Sequence, residues 1–366
     1  MKVNPNYTTK EQLLELYNKP LLELIFEAAT IHRQYHNPRE VQMSSLLSIK
    51  TGGCAEDCGY CPQAARYHTT VEPHKLMTVE SVVEQAKNAK ANGSSRLCMG
   101  AAWREVRDNR DFDKVIEMVQ EVNKLDMEVC CTLGMMNEEQ ARRLKNAGLF
   151  AYNHNLDTSP EFYGDVISTR EYEDRLNTIE NARKAGISVC SGGIIGMGEA
   201  VEDRIGLLMS YMNMENPPES IPINALVAVE GTPLAEQKPI EQWELIRMVA
   251  TTRIVFPQSV VRLSAGRSKM NLEAQALCFM AGAGSIFAGD KLLTTPNPEF
   301  NEDKEMFDIL GLIPTQPFQK GDKPVSNPDA IIEEKKKKEK EIQQQWKTAQ
   351  AKEKDEYFTP RKVTIV

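Results

Sequence analysis

Short β-rich runs alternate with longer amphipathic segments from about residue 45 onward, which is the order typical of βα units around a parallel sheet. Eight candidate strands begin near Ser45, Arg96, Glu128, Ala151, Ser188, Ser220, Val260 and Ser285. Helix-like segments lie between them, and Gly93 and Gly148 are placed as helix stops. Eight such repeats over roughly 250 residues is the usual size of a closed barrel. The pattern therefore predicts an α/β (β/α)8 TIM-type barrel, with a doubly wound open sheet as the alternative.

The two ends of the chain differ from this pattern. KEQLLELY and PLLELIFEAATIHRQYH read as amphipathic helices separated at Pro20, so residues 1–44 are predicted to form an N-terminal helical cap on a barrel at 45–318. Residues 319–366 are polar, with no apolar period that could bury a face. The run of lysines at 335–338 is flanked by glutamates, which favours a solvated tail over a nucleic-acid site. We expect a charged, disordered and dispensable C-terminal tail.

Composition narrows the functional classes. The chain has 366 residues and a net charge of -8, which disfavours a general nucleic-acid binder. The first residues lack the apolar core of a signal peptide, and nowhere do 18 apolar residues run together, so we expect a cytoplasmic protein without a membrane partner. In that reducing compartment, the eight cysteines are expected to be metal ligands, redox groups or buried apolar residues rather than disulfides.

Polar residues fall where a barrel interior is normally apolar. One parity per strand collects Arg96, Cys98, Gly100, Cys130, Thr132, Asn153, Asn155, Asp157, Cys190, Gly192, Asn224, Arg262 and Ser264. Because buried polar groups are costly unless they are paired or hold a ligand, we predict a hollow, polar, ligand-filled barrel. Spacing alone leaves two interpretations of Cys98, Cys130 and Cys190: small buried hydrophobes, or ligands of a second metal centre. Cys131 and Cys278 lack such company and are predicted to be packing residues.

Cys54, Cys58 and Cys61 lie close together in a loop that follows the first predicted strand, at the barrel face where such folds place their chemistry. A structural zinc site would need a fourth ligand, for which His68 is a candidate. A cubane iron-sulfur cluster held by three thiolates would instead keep one iron open for another molecule.

The motif Cys54-x-x-x-Cys58-x-x-Cys61, with Tyr60 before its last cysteine, resembles the signature of radical S-adenosylmethionine enzymes. Further stretches resemble the biotin synthase family from about residue 12 to residue 315: SLLSIKTGGCAEDCGYCPQ, RLCMGAAWR, CTLGM, AYNHNLDTSPEFYG, VCSGGIIGMGE, VRLSAGR and KLLTTPNPE. The resemblance implies that Cys54, Cys58 and Cys61 hold a 4Fe-4S cluster whose open iron binds S-adenosylmethionine. It also implies a 2Fe-2S cluster, held by Cys98, Cys130, Cys190 and Arg262. Cys54, Cys58, Cys61 and Arg262 are then the expected catalytic residues.

The same resemblance implies roles for other residues. Tyr60, Asn155, Asp157, Arg175 and the stretch from Gly193 to Glu199 would contact S-adenosylmethionine, with Arg175 at its methionine carboxylate. Asn155 and Asn224 would hold the ureido ring of dethiobiotin, and Thr294 would meet its carboxylate tail. The implied reaction is radical-mediated sulfur insertion between C6 and C9 of dethiobiotin. A reductant of flavodoxin or ferredoxin type and a homodimer are also implied.

Three rival functions follow from the same motif. A lipoyl synthase would carry a second cysteine cluster near its N-terminus, but residues 1–53 contain no cysteine. A hydrogenase maturase has a similar predicted barrel. A zinc-stabilised binding protein would explain the three close cysteines without catalysis.

Overall fold

The computed structural model describes residues 2–289, 291–319 and 321–357. All strand pairs in this part of the chain are parallel. The strands are β1 Glu40–Lys50, β2 Arg96–Ala101, β3 Glu128–Thr132, β4 Ala151–Asn153, β5 Ser188–Cys190, β6 Gly193–Ile195, β7 Ser220–Ala225, β8 Val260–Leu263, β9 Ala283–Phe287 and β10 Ile313–Pro314. The first strand pairs with both β2 and β9, so the sheet closes on itself. The predicted TIM-type barrel is confirmed, and the open-sheet alternative is wrong.

Each of the eight predicted strands has a counterpart, but the fifth is interrupted. β5 and β6 are two halves of one barrel position, and both pair with β7. The break falls at Ser191–Gly192, where a Cβ added to Gly192 would lie 1.9 Å from the Pro222 carbonyl oxygen. Only glycine, which has no Cβ, can approach the Pro222 backbone this closely, and the strand is interrupted at this position.

Helices surround the barrel. They are α1 Lys10–Tyr17, α2 Leu21–Tyr35, α3 Val79–Ala91, α4 Arg110–Asn123, α5 Glu138–Asn146, α6 Pro160–Val166, α7 Tyr172–Lys184, α8 Val201–Met212, α9 Gln242–Val255, α10 Leu272–Met280, α11 Phe300–Leu310 and α12 Pro328–Tyr357. Capping interactions fix where helices begin. Asn137 and Gln140, for example, form a capping box at the N-terminus of α5. None of the helices within the described residues combines the length and apolarity that a membrane crossing requires.

Side chains alternate between two layers along each strand. Leu97, Met99 and Val129 point outward and are fully buried against the helices, in a large apolar core. Cys131 and Cys278 are buried in the same layer, as packing residues would be. The intervening residues point into the barrel, where the polar set collects. This alternation is what the period of two in a strand dictates.

The N-terminal helices pack on the outside of the barrel. α1 lies against α8 and α9, and α2 lies against α9 and α10. The C-terminal end of α2 reaches the N-terminal edge of the barrel, where His32, Tyr35 and His36 line a cavity. β1 begins at Glu40, five residues before the predicted start of the barrel at 45. The division into a cap at 1–44, a barrel at 45–318 and a tail at 319–366 stays a prediction.

The C-terminal segment contains more secondary structure than its composition suggested. α12 is helical over Pro328–Tyr357, whereas a disordered tail was expected. Lysine, glutamate, glutamine and alanine have high intrinsic helix propensity, which allows a helix without an apolar face. Its described side chains are almost all exposed. Residues 320 and 358–366, which belong to the predicted tail, lie outside the described residues.

Candidate active site

A cavity of about 330 Å³ at the C-terminal ends of the strands brings most of the predicted site together. Its walls include Cys54, Cys58, Tyr60, Cys61, Cys98, Asn155, Asp157, Arg175, Asn224, Arg262 and Thr294. The three close cysteines, part of the second cysteine set and the expected substrate contacts therefore face one space. Cys130, Cys190, Gly193 and Glu199 do not lie on this wall.

The cysteine loop follows β1 and is held in place by its backbone. Cys54 donates to the Gln63 carbonyl at 2.9 Å and accepts from the Ala65 amide at 2.7 Å. Cys61 donates to the Cys58 carbonyl at 2.9 Å, which closes a tight turn between these two cysteines. All three are free thiols. The loop therefore presents three unpaired sulfurs to the cavity from a fixed backbone.

Burial changes the acidity of two of these thiols. It raises the pKa of Cys58 to about 11 and that of Cys61 to about 12. The nearby Arg175 charge favours the Cys58 thiolate but does not offset burial. Both groups are therefore protonated at neutral pH when no metal is bound, and metal binding must release their protons.

Asp57, inside the cysteine loop, anchors it to the segment after α6. Its carboxylate accepts hydrogen bonds from the backbone amides of Ser168 at 3.0 Å and Thr169 at 3.1 Å. Burial acts to raise the pKa of Asp57, but the hydrogen bonds from Ser168 and Thr169 outweigh it and lower the pKa to about 2. The carboxylate is thus ionised wherever the protein is folded near neutral pH.

Asp157 joins three elements of the site. Tyr60 donates to its carboxylate at 2.6 Å, and the Arg175 guanidinium pairs with the same oxygen at 2.5 Å. Asp157 and Arg175 are both buried. The backbone of Asp157 has a φ of 68°, a left-handed conformation that costs a residue other than glycine about 1–3 kcal/mol. A strained, buried carboxylate that is held by a phenol and a guanidinium at a cavity wall indicates a position fixed for function.

Arg175 is more heavily engaged than its predicted role requires. Its Nε donates to the Tyr163 hydroxyl at 2.8 Å, and its Nη1 donates to the Asn155 carbonyl. With the Asp157 ion pair, these contacts occupy three sides of the guanidinium. Arg175 therefore positions Asp157 and Asn155 in addition to facing the cavity.

Asn155 and Asn224 both contact the backbone around the strand break. The Asn155 side-chain oxygen accepts from the Gly192 amide at 3.1 Å, and the Asn224 amide donates to the Gly193 carbonyl at 2.8 Å. The Asn224 side-chain oxygen also accepts from the Ala265 amide at 3.2 Å. Each side chain keeps hydrogen-bonding capacity toward the cavity, because an amide offers two donors and an acceptor with two lone pairs.

Gly193 and Glu199 shape the site from behind its wall. A Cβ at Gly193 would lie 2.2 Å from Leu207, so the position needs glycine for packing. The Glu199 carboxylate accepts from the Met197 amide at 2.7 Å and from Arg204 at 2.8 Å. Of this stretch, Ile194 faces the cavity.

The second cysteine set converges in the middle of the barrel. Cys98 on β2 and Cys130 on β3 are register partners. Cys190 on β5 is the register partner of Asn153 on β4. Hydrogen bonding from Cys130, together with the Arg262 and Arg96 charges, lowers the pKa of Cys98 despite burial, whereas hydrogen bonding with Cys98 and burial raise the pKa of Cys130, and burial raises that of Cys190. The two buried cations thus favour a thiolate at Cys98, and the other two thiols must lose their protons on binding a metal.

Arg262 is fully buried and pairs with hydroxyls rather than carboxylates. Its Nε donates to Ser285 at 3.0 Å and its Nη2 donates to Ser44 at 3.4 Å, while the guanidinium lies 4.6 Å from the Phe287 ring centre. Among the described ion pairs, none involves Arg262. A buried guanidinium without a carboxylate needs compensation from another anion, which a bound thiolate centre would supply.

For several ionisable residues of the site, the sequence predicted neither their burial nor a role. Glu56, within the cysteine loop, is buried and lies 3.8 Å from the Nε of Arg170, and neither of these two atoms has a hydrogen-bond partner. His154 also lines the cavity, and burial, with the Arg175 and Arg170 charges, lowers its pKa well below the usual value. A loop sequence carries no periodicity that would reveal such burial. His154 was not predicted because it has the opposite strand parity from Asn153 and Asn155.

A mononuclear zinc site does not fit this geometry. No three His, Cys, Asp or Glu side chains of the described residues converge closely enough to hold one ion, and His68 is exposed and away from the cavity. An iron-sulfur cluster spreads its thiolates over several irons and so takes a wider arrangement. The three cysteines around the cavity fit such a cluster.

Two known domain families match the chain. The Radical SAM superfamily matches residues 48–210, and the Biotin and Thiamin Synthesis associated domain matches residues 222–313. Solved structures share the fold: methylornithine synthase has a TM-score of 0.73 at 20% identity, covering 85% of this chain and 95% of that one. The FeFe-hydrogenase maturase of Carboxydothermus hydrogenoformans has a TM-score of 0.71 at 16% identity, covering 84% and 76%. The barrel and its cysteine loop define a radical S-adenosylmethionine enzyme.

Curated relatives narrow the class. The biotin synthase of Flavobacterium johnsoniae is 67% identical over 312 residues, 85% of this chain and 86% of the relative. The mitochondrial biotin synthase of Arabidopsis thaliana is 55% identical over 328 residues, 89% and 87% of the two chains. The chain therefore belongs to the biotin synthase family.

Proposed function

We propose that this chain converts dethiobiotin to biotin by radical-mediated sulfur insertion between C6 and C9. The observation that carries the proposal is the shared cavity: the loop cysteines, Cys98 and Arg262 line the same wall as Asn155 and Asn224. A reaction that moves both a radical and a sulfur onto one small molecule needs these groups within one space.

The residues present fit the two expected iron-sulfur clusters. Cys54, Cys58 and Cys61 are three free thiols on a fixed loop, suited to a 4Fe-4S cluster with one open iron. Cys98, Cys130, Cys190 and Arg262 lie together in mid-barrel, where the Arg96 and Arg262 charges favour the Cys98 thiolate. We propose that this second set holds a 2Fe-2S cluster.

When bound, the 4Fe-4S cluster and S-adenosylmethionine supply a 5'-deoxyadenosyl radical, and the 2Fe-2S cluster supplies the sulfur atom. The protein's own residues bind and orient the reactants. Asn155 and Asn224 hold the ureido ring of dethiobiotin through the donor and lone-pair positions that their backbone contacts leave free. Thr294, on the wall of the same cavity, meets its carboxylate.

S-adenosylmethionine is proposed to lie between the cysteine loop and the loop after β4. Asp157 and Asn155 contact its ribose, while Tyr60 holds Asp157 in place through its 2.6 Å hydrogen bond. The cavity-facing edge of Arg175 contacts the methionine carboxylate, and the stretch from Gly193 to Glu199 shapes the adenine side. A flavodoxin- or ferredoxin-type reductant, a homodimer and a cytoplasmic location complete the proposal.

Isotope labelling tests the source of sulfur. The clusters are rebuilt with a heavy sulfur isotope, and the enzyme then turns over anaerobically with dethiobiotin, S-adenosylmethionine and reductant. We expect labelled biotin, with the 2Fe-2S absorbance falling as product forms. A matched control carries unlabelled clusters in buffer that contains labelled sulfide. Unlabelled biotin from the labelled enzyme, with unchanged absorbance, would reject the proposed sulfur source.

A further inference from the structure

A second cavity, of about 220 Å³, opens at the opposite, N-terminal end of the barrel. Its lining includes Cys190, one of the proposed 2Fe-2S ligands, whereas Cys98 and Arg262 line the first cavity. The proposed 2Fe-2S site therefore lies between two cavities and can be approached from both ends of the barrel.

The lining of this N-terminal cavity includes charged and hydroxyl groups beside apolar ones, where barrels are normally filled by bulky apolar side chains. Arg96 and Glu128 form an ion pair at 2.6 Å across its wall, and both are buried. Gln42 donates to Glu128 at 2.9 Å, and the Ser220 hydroxyl lies next to Cys190. Charged and hydroxyl groups of this kind suit hydrated ions rather than an apolar ligand.

A short strap, defined as residues Thr315–Gln319, lies across this end of the barrel. It begins with Thr315 donating to the Val41 carbonyl of β1 at 3.1 Å, and the amide of Phe318 donates to Glu128 of β3 at 2.6 Å. Thr315, Gln316 and Gln319 line the N-terminal cavity. The strap thus spans the barrel end from β1 to β3.

The side chain of Phe318 packs the strap against the buried cysteines. Its ring meets the Phe150 ring edge-on, with centroids 5.7 Å apart, and it packs against the buried cluster that contains Cys98 and Cys130. Phe318 has a φ of 66°, a left-handed conformation that is unfavourable for a bulky residue. The closure is held by this ring pair and by the amide hydrogen bond to Glu128, and the backbone strain at Phe318 lowers the cost of opening it.

We propose that the N-terminal cavity is the route by which iron and sulfide ions reach Cys98, Cys130 and Cys190, and that Phe318 closes this route. The inference rests on the proposed function, which consumes the sulfide held there. Two ferric and two sulfide ions give a doubly positive 2Fe-2S core with no change of oxidation state. Each thiol that binds releases one proton to solvent, and Arg262 also releases one, because a guanidinium has no lone pair for iron until it is deprotonated.

The test measures how fast the 2Fe-2S cluster forms. The full chain, stripped of iron, is incubated anaerobically with ferric and sulfide ions, and the 2Fe-2S signal is followed by absorbance and Mössbauer spectra. Phe318→Ala should speed its formation roughly two- to tenfold, the range that loss of one aromatic pair corresponds to. Ser188→Phe, which narrows the cavity, should slow it. A chelator should remove the cluster faster from the Phe318→Ala chain.

Leu293→Ala is the matched control, because it opens the wall of the first cavity instead. Its rate should equal that of the unaltered chain. Unchanged rates in Phe318→Ala would overturn the proposed route, and so would an equal acceleration in Leu293→Ala. If Ser188→Phe fails to fold, the comparison of Phe318→Ala with Leu293→Ala still tests whether the N-terminal cavity is the route.

Failure of the proposed function gives a different result. The unaltered chain would then gain no 2Fe-2S spectrum at all. In that case alkylation of Cys190 by iodoacetamide in the iron-free chain still tests the route: faster modification in Phe318→Ala supports it, and an equal rate rejects it.

Discussion

The Tyr60 hydroxyl donates a 2.6 Å hydrogen bond to the Asp157 carboxylate, which connects the cysteine loop to the loop after β4. Burial, followed by the Asp157 charge, raises the pKa of Tyr60 well above its usual value, so the phenol stays a donor at any working pH. The segment that holds the loop cysteines and the segment proposed to hold S-adenosylmethionine are therefore fixed relative to each other by one bond.

Tyr60→Phe should weaken S-adenosylmethionine binding while leaving the fold intact. Hydrogen bonds to charged groups are worth about 1.5–3 kcal/mol, and part of this should appear as a roughly tenfold rise in the dissociation constant. Equilibrium binding to the cluster-loaded enzyme measures it. Tyr67→Phe is the matched control, because Tyr67 donates to the Asp57 carbonyl and does not line the cavity. Equal losses in both variants would contradict the role given to Tyr60.

Cys58→Ala should remove the 4Fe-4S spectrum and all cleavage of S-adenosylmethionine but spare the 2Fe-2S spectrum. The physical reason is separation: Cys58 lies on the loop after β1, whereas Cys130 and Cys190 lie in mid-barrel strands. Cys278→Ala, which alters a packing cysteine of α10, should keep both spectra. Simultaneous loss of both clusters in a folded Cys58→Ala chain would show that the two sites are not independent.

Thiol reactivity of the iron-free chain should depend on pH in a defined way. Burial raises the pKa of Cys58 to about 11, so its thiolate fraction at pH 8 should be roughly a hundredfold below that of an ordinary thiol. Alkylation of Cys58 should therefore be slow at pH 8 and rise until the pH approaches 11. Mass spectrometry of alkylated peptides measures it, with the guanidinium-unfolded chain as the reference. Equal rates in folded and unfolded chains would refute the prediction.

Two truncations separate the docked and exposed parts of the C-terminal segment. Asn327 donates from its backbone to the Asn146 carbonyl at 2.8 Å, and Gln120 donates to Ser326 at 3.2 Å. A chain ending at Ile332 keeps these contacts and should melt as the full chain does. A chain ending at Gln319 loses them and should melt roughly 1–2 °C lower, as expected for about 1 kcal/mol at this size. Identical melting temperatures would restore the view that everything beyond Gln319 is dispensable.

The barrel was readable from the sequence because strand and helix periods differ. Cys98 and Cys130 share a face by the period of two, and the structure makes them register partners. The break at Gly192 was not readable, since it depends on the Pro222 carbonyl of a strand 30 residues later. Local patterns carry the element types, while close approaches between distant segments depend on the closed fold.

The site residues likewise include some that local patterns predict and others that depend on the closed fold. Asn224 on β7 and Arg262 on β8 follow from parity and face the cavity, and so does Asn155, two residues beyond the end of β4. The buried Glu56 and Arg170 do not, because they belong to loops whose burial is set by the opposite wall. The strap was also missed: Phe318 lies at the junction of a barrel and a polar segment, and its packing on Phe150 has no counterpart in local periodicity.

The interrupted strand has a cost for any change of substrate. Where β5 gives way to β6, Asn155 and Asn224 supply from their side chains hydrogen bonds to the Gly192 amide and the Gly193 carbonyl. The oxygen of Asn155 and both ends of the Asn224 amide thus hold the barrel wall together, and only the remaining donor and lone-pair positions are left for recognition. Replacing either residue so that the site accepts a different substrate ring would also remove these hydrogen bonds at the break between β5 and β6. Substrate specificity and closure of the barrel therefore cannot be varied separately at these positions.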